Sequence, residues 1–384
     1  NADAQVYSWL KIGVESALRF STLRNPGAGS PKAIINQALY MLPTLSAVHE
    51  LDGNWGYGKN GLNPTAMAED SGFSKTKTHE SVLGGTFTIT PFAGMEINGQ
   101  YSRRQVTSRG RKVIQPYTVS LAGQVMGQYP NEDRVSESWS ESVRNYYKIQ
   151  ASYEKTMRKH YGKLMAGFQA EDNDYSDFGA ARKFFDLGKW YLGNGDSSTA
   201  TNSGNASSWS MMSWFGRFNY NYDEKYLLEL DGRFDGSSRF TKGNRWGFFP
   251  AVSAGWVISR ESFMDWARKS VDLLKLRASY GTLGNQNIGN YPYAAVINPG
   301  YSYYFGDEKE ISNGVAQTAL SNPNIGWEKS SQFNIGIDLT MFNGALSFTG
   351  EYYYKKVYDM LMKFALPYYA GMQPPYTNAG DMRN

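Results

Sequence analysis

The chain has 384 residues, a formal net charge of +4, no cysteine and only three histidines, His49, His79 and His160. That excludes a disulfide scaffold, a thiolate metal site and a cysteine nucleophile, and the charge is too small to argue for nucleic acid. Glycine (40), tyrosine (28), phenylalanine (20) and tryptophan (10) are abundant, charged residues reach only 19% and mean hydropathy is −0.52, with no apolar run long enough for a helical membrane span.

The chain opens on NADAQVYSWL, without a basic and then apolar leader, and reads as a mature or internal segment. From there, alternation of apolar and polar residues recurs in eleven stretches, the pattern of strands with one apolar face. Val6, Leu10, Ile12, Val14, Leu18 and Phe20 share the first face. Leu83 to Ile89, Met95 to Tyr101, Tyr147 to Tyr153 and Leu164 to Ala170 follow. Trp214, Phe218 and Tyr220 lie opposite Arg217 and Asn219; Tyr226, Leu228, Leu230 and Phe234 lie opposite Glu229, Asp231, Arg233 and Asp235. In the eighth stretch Trp246, Phe248, Pro250, Val252, Ala254, Trp256 and Ile258 share one parity. Leu274 to Tyr280, Phe333 to Leu339 and Leu346 to Tyr354 complete the set.

The connections alternate in length. Thr90–Gly94, Thr156–His160, Asp223–Lys225 and Met341–Gly344 are short, and Ser259–Ser270 reads as a small amphipathic helix. Between them lie long segments at 22–79, 109–143, 172–210, 236–245, 285–326 and from 359 onward. Short turns on one side and long loops on the other are the pattern of an outer-membrane β-barrel. A soluble sandwich would also alternate, but strands of twelve or more residues are long for soluble sheets. Aromatic residues also gather toward strand ends as interfacial girdles do; the girdle candidates are Trp214, Tyr220, Tyr226, Trp246, Trp256 and Tyr280. Trp246 and Trp256 stand ten residues apart, about 33 Å along a strand and about 25 Å in height at a tilt of ~40°, the height of the apolar band. Pro250 forfeits a ladder hydrogen bond and predicts a bulge or local irregularity. An up-and-down sheet of eleven strands cannot close antiparallel on itself, and an open edge is not viable in lipid. The fold class is therefore all-β, a transmembrane antiparallel up-and-down barrel, with this segment part of a longer one.

Longer stretches carry a family resemblance. RFDGSSRFTKGNRWGFFPAVSAGWVISRESFM from Arg233, LLKLRASYGTLGNQNIGNYPY from Leu273, NPNIGWEKSSQFNIGIDLTMFNGALSFTGEYYYKKVYDML from Asn322 and the final YTNAGDMRN resemble the SusC/RagA-type TonB-dependent outer-membrane transporters of Bacteroidota. GLNPTAMAED and FTITPFAGMEINGQYS resemble the same family more loosely. The likeness is specific over 214–384, moderate over 53–104 and weak in the first fifty residues and in the loops at 109–143 and 172–210. It implies a 22-stranded barrel with an N-terminal plug, energised through the TonB complex and covered by a SusD-like lipoprotein, importing oligosaccharides or oligopeptides. No plug sequence or TonB box is recognisable and the closing strands are missing, so residues 1–384 read as a partial barrel domain that works with the rest of the barrel and plug. The rival readings are a passive porin-like channel and a secreted, aromatic-rich glycan-binding β-protein.

The chemistry-bearing clusters are sparse. Gly56-Tyr-Gly-Lys-Asn-Gly61 fits a dinucleotide fingerprint in spacing only, since no helical period opens after it. Glu171, Asp172, Asp174 and Asp177 could offer oxygens to Ca²⁺, but the EF-hand order fails and a solvated acidic loop is the plainer reading. Arg103, Arg104, Arg109, Arg111 and Lys112 lack the interleaved aromatics of a nucleic-acid site; at the outer end of a strand they are candidates for lipopolysaccharide phosphates, or a solvated loop. Glu229, Asp231, Arg233, Asp235, Arg277, Glu328 and Asp338 are candidate lumen-lining residues, expected to pair with one another or with the plug. A glycosidase pair is not supported, since carboxylates two apart on a strand are common. Tyr301, Tyr303, Tyr304 and Phe305, in NPGYSYYFGDE, are candidates for substrate or lid contact. No catalytic residue, cofactor or enzyme activity is expected, and the predicted location is the bacterial outer membrane.

Overall fold

The computed structural model describes residues 2–384 apart from 46–47, 186–187 and 306–309, and the side chains of Phe305 and Glu310 also lie outside the described set. Its centre is one thirteen-stranded sheet. The strands are β1 (Ala2–Tyr7), β2 (Leu10–Pro26), β3 (Gly72–Ile89), β4 (Met95–Ile114), β5 (Arg134–Met157), β6 (His160–Lys183), β7 (Thr201–Tyr222), β8 (Tyr226–Ser237), β9 (Trp246–Val257), β10 (Val271–Asn285), β11 (Glu328–Met341), β12 (Leu346–Tyr358) and β13 (Met382–Arg383). Each pairs antiparallel with the next in chain order. All eleven expected strands are present, and two are added.

The first addition has a clear cause. The stretch from Val6 to Phe20 is not one strand but the hairpin β1–β2, turning at Ser8-Trp9. Its register sets even residues opposite even ones, Ala2 against Val14 and Ala4 against Ile12. Those pairs keep one parity, so the alternation carries across the hairpin in the sequence even though the register shifts by one residue between Gln5 and Tyr7, where Tyr7 faces Leu10. The second addition, β13, is two residues long, too short for any period to show.

The expected long loops at 109–143 and 172–210 are largely strand, and the one at 22–79 is strand at its two ends. β5 and β6 each run 24 residues in unbroken register from Met157↔His160 to Arg134↔Lys183. That is about 80 Å of strand, rising roughly 60 Å at a ~40° tilt, more than twice the apolar band. Beyond the band both faces are polar, as in RVSESWSESVRN and EDNDYSD, so the apolar–polar alternation that marks a strand in sequence vanishes while the ladder continues. The long-loop end then carries small local folds. The helices α1 (Pro31–Leu39) and α2 (Pro64–Glu69) and the parallel pairing of Trp55–Gly56 with Tyr117–Leu121 enclose Trp55, Ala66, Met67, Tyr117 and Val119. A second cluster buries Phe240, Phe249, Ile288, Ile325 and Trp327. The segment expected as an amphipathic helix at Ser259–Ser270 is instead two 3₁₀ turns, Ile258–Arg260 and Ser262–Ala267; it is too short to complete a stable α-helix.

Pro250 shows its effect on one side only. Toward β8 the register is regular, Gly232↔Pro250, with no bulge. Toward β10 the ladder ends at Ala251↔Gly281, next to the residue that has no N–H to give. The freed end of β9 leaves room for Phe249 to lie over Gly284, where a Cβ would meet its ring at 2.1 Å.

Candidate functional site

The apolar parity forms continuous bands across the sheet. One cross-strand row runs Ile12, Phe87, Gly99, Ile149, Phe168, Trp214, Phe234, Phe248. Another runs Met95, Tyr153, Leu164, Phe218, Leu230, Val252, Tyr280, Phe333, Tyr354. Nearly all of these large side chains are exposed; Phe248 reaches 62% and Trp214 57%. So broad an exposed apolar face needs a partner phase.

Aromatic pairs frame this face in the β8–β9 hairpin. At the short-turn end Tyr226 stacks on Trp256, centroids 6.5 Å apart at 8°. At the other end Trp246 stacks on Phe234, 4.8 Å apart at 9°. Of the other girdle candidates, Trp214 leans on Phe168, Tyr220 bonds His160 Nδ1 at 2.7 Å, and Tyr280 falls inside the second row, between Val252 and Phe333. Glu261 was not visible as part of the girdle, because it lies in a turn with no periodicity. Its Oε1 accepts from Tyr226 Oη at 2.7 Å and from Trp256 Nε1 at 3.1 Å, and Lys225 Nζ lies 3.1 Å from Oε2.

These bonds, from Tyr226 first, then Trp256 and Lys225, hold the Glu261 carboxyl below the ordinary glutamate range. A depressed pKa stabilises the folded state above the unfolded value and loses that effect as pH falls through the folded one. Tryptophan fluorescence at this end should therefore change below about pH 4.3, the ordinary glutamate value. In Glu261→Gln the step should vanish, and a step of unchanged size in that variant would assign the titration to another group.

The opposite parity carries charge, and it is paired. Arg217 Nε lies 2.6 Å from Asp231, and Arg233 Nε lies 2.7 Å from Asp235 while its Nη2 donates to Ser213 Oγ at 2.8 Å. Arg277 bridges Asp338 at 3.3 Å and Glu351 at 3.0 Å. Glu229 accepts from Asn219, and Glu328 accepts from Asn285 Nδ2 at 3.0 Å and from the Leu361 N–H at 2.9 Å. All seven polar-face candidates thus have a partner within the chain. Four of those partners, Arg217, Ser213, Asn219 and Asn285, lie on neighbouring strands, and Glu351 reaches Arg277 from two strands away. Phe215 adds an aromatic to this face, with Lys148 Nζ at 5.7 Å and the Arg233 guanidinium at 5.9 Å from its ring. Glu229, Lys275, Arg277, Ser279 and Asn334 line a recess of about 600 Å³.

The tyrosine-rich loop is a hairpin arm, Ile297–Phe305 against Glu310–Gln317. A register shift at Gly300, whose φ is +93°, sorts its side chains. Before it Ile297 and Pro299 face Gln317 and Val315; after it Tyr304 faces Ile311, so these residues share one side. Tyr301 and Tyr303 take the other, opposite Gly314 and Ser312. Tyr303, Val315 and Ile311 are 69%, 65% and 63% exposed. The side chain of Phe305, the fourth candidate here, lies outside the described residues.

The acidic stretch is strand β6, not a loop. Alternation puts Asp172 and Asp174 on one face, Glu171 and Asp177 on the other. Glu171 is held by Arg144 at 2.6 Å, and Asp172 accepts from Asn145 Nδ2 at 2.9 Å. Among the described residues no group of three or more His, Cys, Asp or Glu is placed to hold a metal ion. After Gly61 a six-residue helix does open, contrary to expectation, because Pro64 sits at N1 and the Asn63 side chain caps it, accepting from Thr65 N–H at 2.9 Å and Ala66 N–H at 3.1 Å. That self-capped end offers no cradle for a phosphate. The basic cluster divides by parity: Arg103, Arg109 and Arg111 lie on the face of the apolar rows, Arg104 and Lys112 on the polar face.

Comparison with known proteins places this geometry. A TonB-dependent receptor of Formosa agariphila is 33% identical over 261 residues, 67% of this chain and 24% of that protein. The TonB-dependent receptor SusC of Bacteroides thetaiotaomicron is 36% identical over 180 residues, 46% of this chain and 18% of that protein. Among solved structures, that of the RagAB peptide transporter superposes with a TM-score of 0.82 at 23% identity, covering 99% of this chain and 42% of that one. The chain spans well under half the length of each. A family model described as TonB dependent receptor-like, beta-barrel matches residues 28–384. The chain therefore belongs to the TonB-dependent receptor-like β-barrel family, outer-membrane transport proteins rather than enzymes, and contributes a run of that barrel's wall.

Proposed function

We propose that this chain forms part of the wall of an active importer of oligomeric nutrients, glycans or peptides, energised through TonB and working with a SusD-like surface lipoprotein. The observation that carries the reading is the two-faced sheet: an apolar face suited to lipid and a polar face whose charges neutralise one another across strands. On this reading the polar face lines the lumen and supports a plug, and Glu229, Asp231, Arg233, Asp235, Arg277, Glu328 and Asp338 hold the wall rather than the cargo. The test is uptake of labelled oligosaccharides and oligopeptides by cells carrying the full-length protein, with and without TonB. Uptake lost without TonB is expected; uptake unchanged without it would favour the passive channel.

The hairpin arm supports the lipoprotein. A loop that met only water would not expose Ile297, Tyr304, Ile311 and Val315 on one side. On this reading that side seats the lid, and Tyr301 and Tyr303 present flat rings to sugar or peptide. Ile311→Asp with Val315→Asp is expected to cut lipoprotein co-purification at least ten-fold. Tyr301→Ala with Tyr303→Ala is expected to spare co-purification and lower uptake. Equal lipoprotein recovery in the aspartate variant would remove the arm from the interface.

A further inference from the structure

Charge on the two faces of the sheet is handled differently. On the polar face Arg104, Arg144, Arg217 and Arg233 each lie within 2.7 Å of a carboxylate oxygen. On the face of the apolar rows, near the long-loop end, β3 and β4 set like charges directly opposite: Lys75 against Arg111 and Lys77 against Arg109. Like charges at directly opposite positions destabilise a strand pair unless something neutralises them. Within the chain little does. Among the described residues Lys75, Lys77 and Arg109 are exposed and make no ion pair, and Arg111 reaches one carboxylate, Glu137, at 3.7 Å. Arg111 is otherwise engaged, donating to the Trp190 carbonyl and lying 4.9 Å over the Tyr191 ring. Four cations thus form a square of two adjacent cross-strand pairs lining one recess, a setting in which a phosphate would offset their mutual repulsion.

Next to the square lies an aromatic shelf. Trp139 stands opposite Arg109 on β5 and stacks on Phe178 of β6, centroids 5.5 Å apart at 26°. The cations and the shelf line one recess of about 810 Å³, with Phe73 at its edge. Phosphate beside a flat apolar platform is the chemistry that holds a phosphorylated sugar.

Height selects the kind of lipid. On β4 the apolar run of this face ends at Tyr101, whose ring lies 5.0 Å from that of Tyr147. Arg109 is eight residues further along the same strand, about 26 Å of strand and roughly 20 Å of height at ~40° tilt. Glycerophospholipid headgroups occupy only about 5–8 Å beyond the hydrocarbon, so their phosphates stay below the square. A lipid that carries phosphate on a saccharide chain reaches it. We propose that Lys75, Lys77, Arg109 and Arg111, with the Trp139–Phe178 shelf, bind the sugar-phosphate region of an outer-leaflet lipopolysaccharide against the outside of the barrel wall. The proposal rests on the outer-membrane placement of the family and not on import, so it stands or falls independently of the TonB test.

The experiment uses the full-length protein and vesicles of three compositions: lipopolysaccharide in a neutral phospholipid, the same lipopolysaccharide dephosphorylated, and phosphatidylglycerol in the neutral phospholipid. The test variant is Lys75→Gln, Lys77→Gln, Arg109→Gln, which leaves the loop contact of Arg111 intact. Lys155→Gln, Arg158→Gln, Lys269→Gln at the short-turn end controls for net charge, and Lys75→Arg, Lys77→Arg, Arg109→Lys controls for folding. With roughly five-fold weakening per cation removed, the test variant should bind lipopolysaccharide vesicles about 100-fold more weakly, while both controls bind as the parent does. Dephosphorylation should give a comparable loss with the parent protein. Unchanged binding by the test variant, equal loss in the net-charge control, or equal binding to dephosphorylated lipopolysaccharide or to phosphatidylglycerol would overturn the site.

Discussion

Leu230→Arg is expected to destabilise the barrel by about 2–4 kcal/mol, the cost of a cation on a lipid face at mid-depth. Leu230 lies four residues from Tyr226 and four from Phe234, midway between the two stacked aromatic pairs of the β8–β9 hairpin. It faces Val252 on one side and Phe218 on the other, with no carboxylate in either position. A cation there must strip its water or drag water into the hydrocarbon. Ser253→Arg, one step away on the polar face opposite Glu229, should cost little, because Glu229 offers it a partner. Urea unfolding of the full-length protein in lipid measures both. Equal costs at the two positions would mean that the two faces meet the same solvent.

The second large effect is expected in the loops. Trp327→Ala should destabilise the long-loop layer by about 3–5 kcal/mol, the usual cost of truncating a buried large aromatic. Trp327 is 6% exposed and packs against Phe240, which is fully buried, at 5.2 Å, and against Phe249 at 5.4 Å. Its Nε1 donates to the Arg245 carbonyl at 2.9 Å, so the variant also strands a carbonyl. The cluster joins three separate segments, 238–245, 286–293 and 322–327, to β9, and Leu361 and Tyr376 pack on its edge. Amide hydrogen exchange in those segments should accelerate at least a hundred-fold, while β8 and β9 at the level of Leu230 stay protected. Unchanged exchange in the loops would show that they are held by something other than this core.

Much of this was legible in the sequence because a lipid-facing strand must alternate. The rows through Phe218, Leu230, Val252 and Phe333 are the parity sets of the sequence, brought into register. The segregation of short and long connections survived too. What escaped detection did so for identifiable reasons. Across the Ser8-Trp9 turn most paired residues keep equal parity, so period two passes through it. The outer halves of β5 and β6 are polar on both faces, and strands without an apolar face resemble loops. The seven polar-face candidates came out paired, as charges two apart on a strand suggested; the partners on neighbouring strands, such as Arg217 for Asp231, needed the register. Phe234 as the stacking partner of Trp246 and Glu261 as the clamp on Tyr226 and Trp256 depend on cross-strand and turn geometry that spacing does not encode. The three-to-two split of the basic cluster between two faces follows from parity alone, but its like-charge pairing with Lys75 and Lys77 does not.

The central claim is that bilayer, and not protein or water, covers the apolar parity. This chain has no cysteine, so, with any cysteine elsewhere in the full-length protein replaced by serine, single cysteines can be placed along β8 at 228 to 234 in native membranes. Each is then challenged with a membrane-impermeant maleimide after permeabilising the outer loops, and in parallel with a lipid-soluble spin label quenched by oxygen. The account predicts a period-two result: positions 228, 230 and 234 protected from the maleimide and broadened by oxygen, positions 229, 231 and 233 the reverse. Equal aqueous labelling of both parities would contradict it.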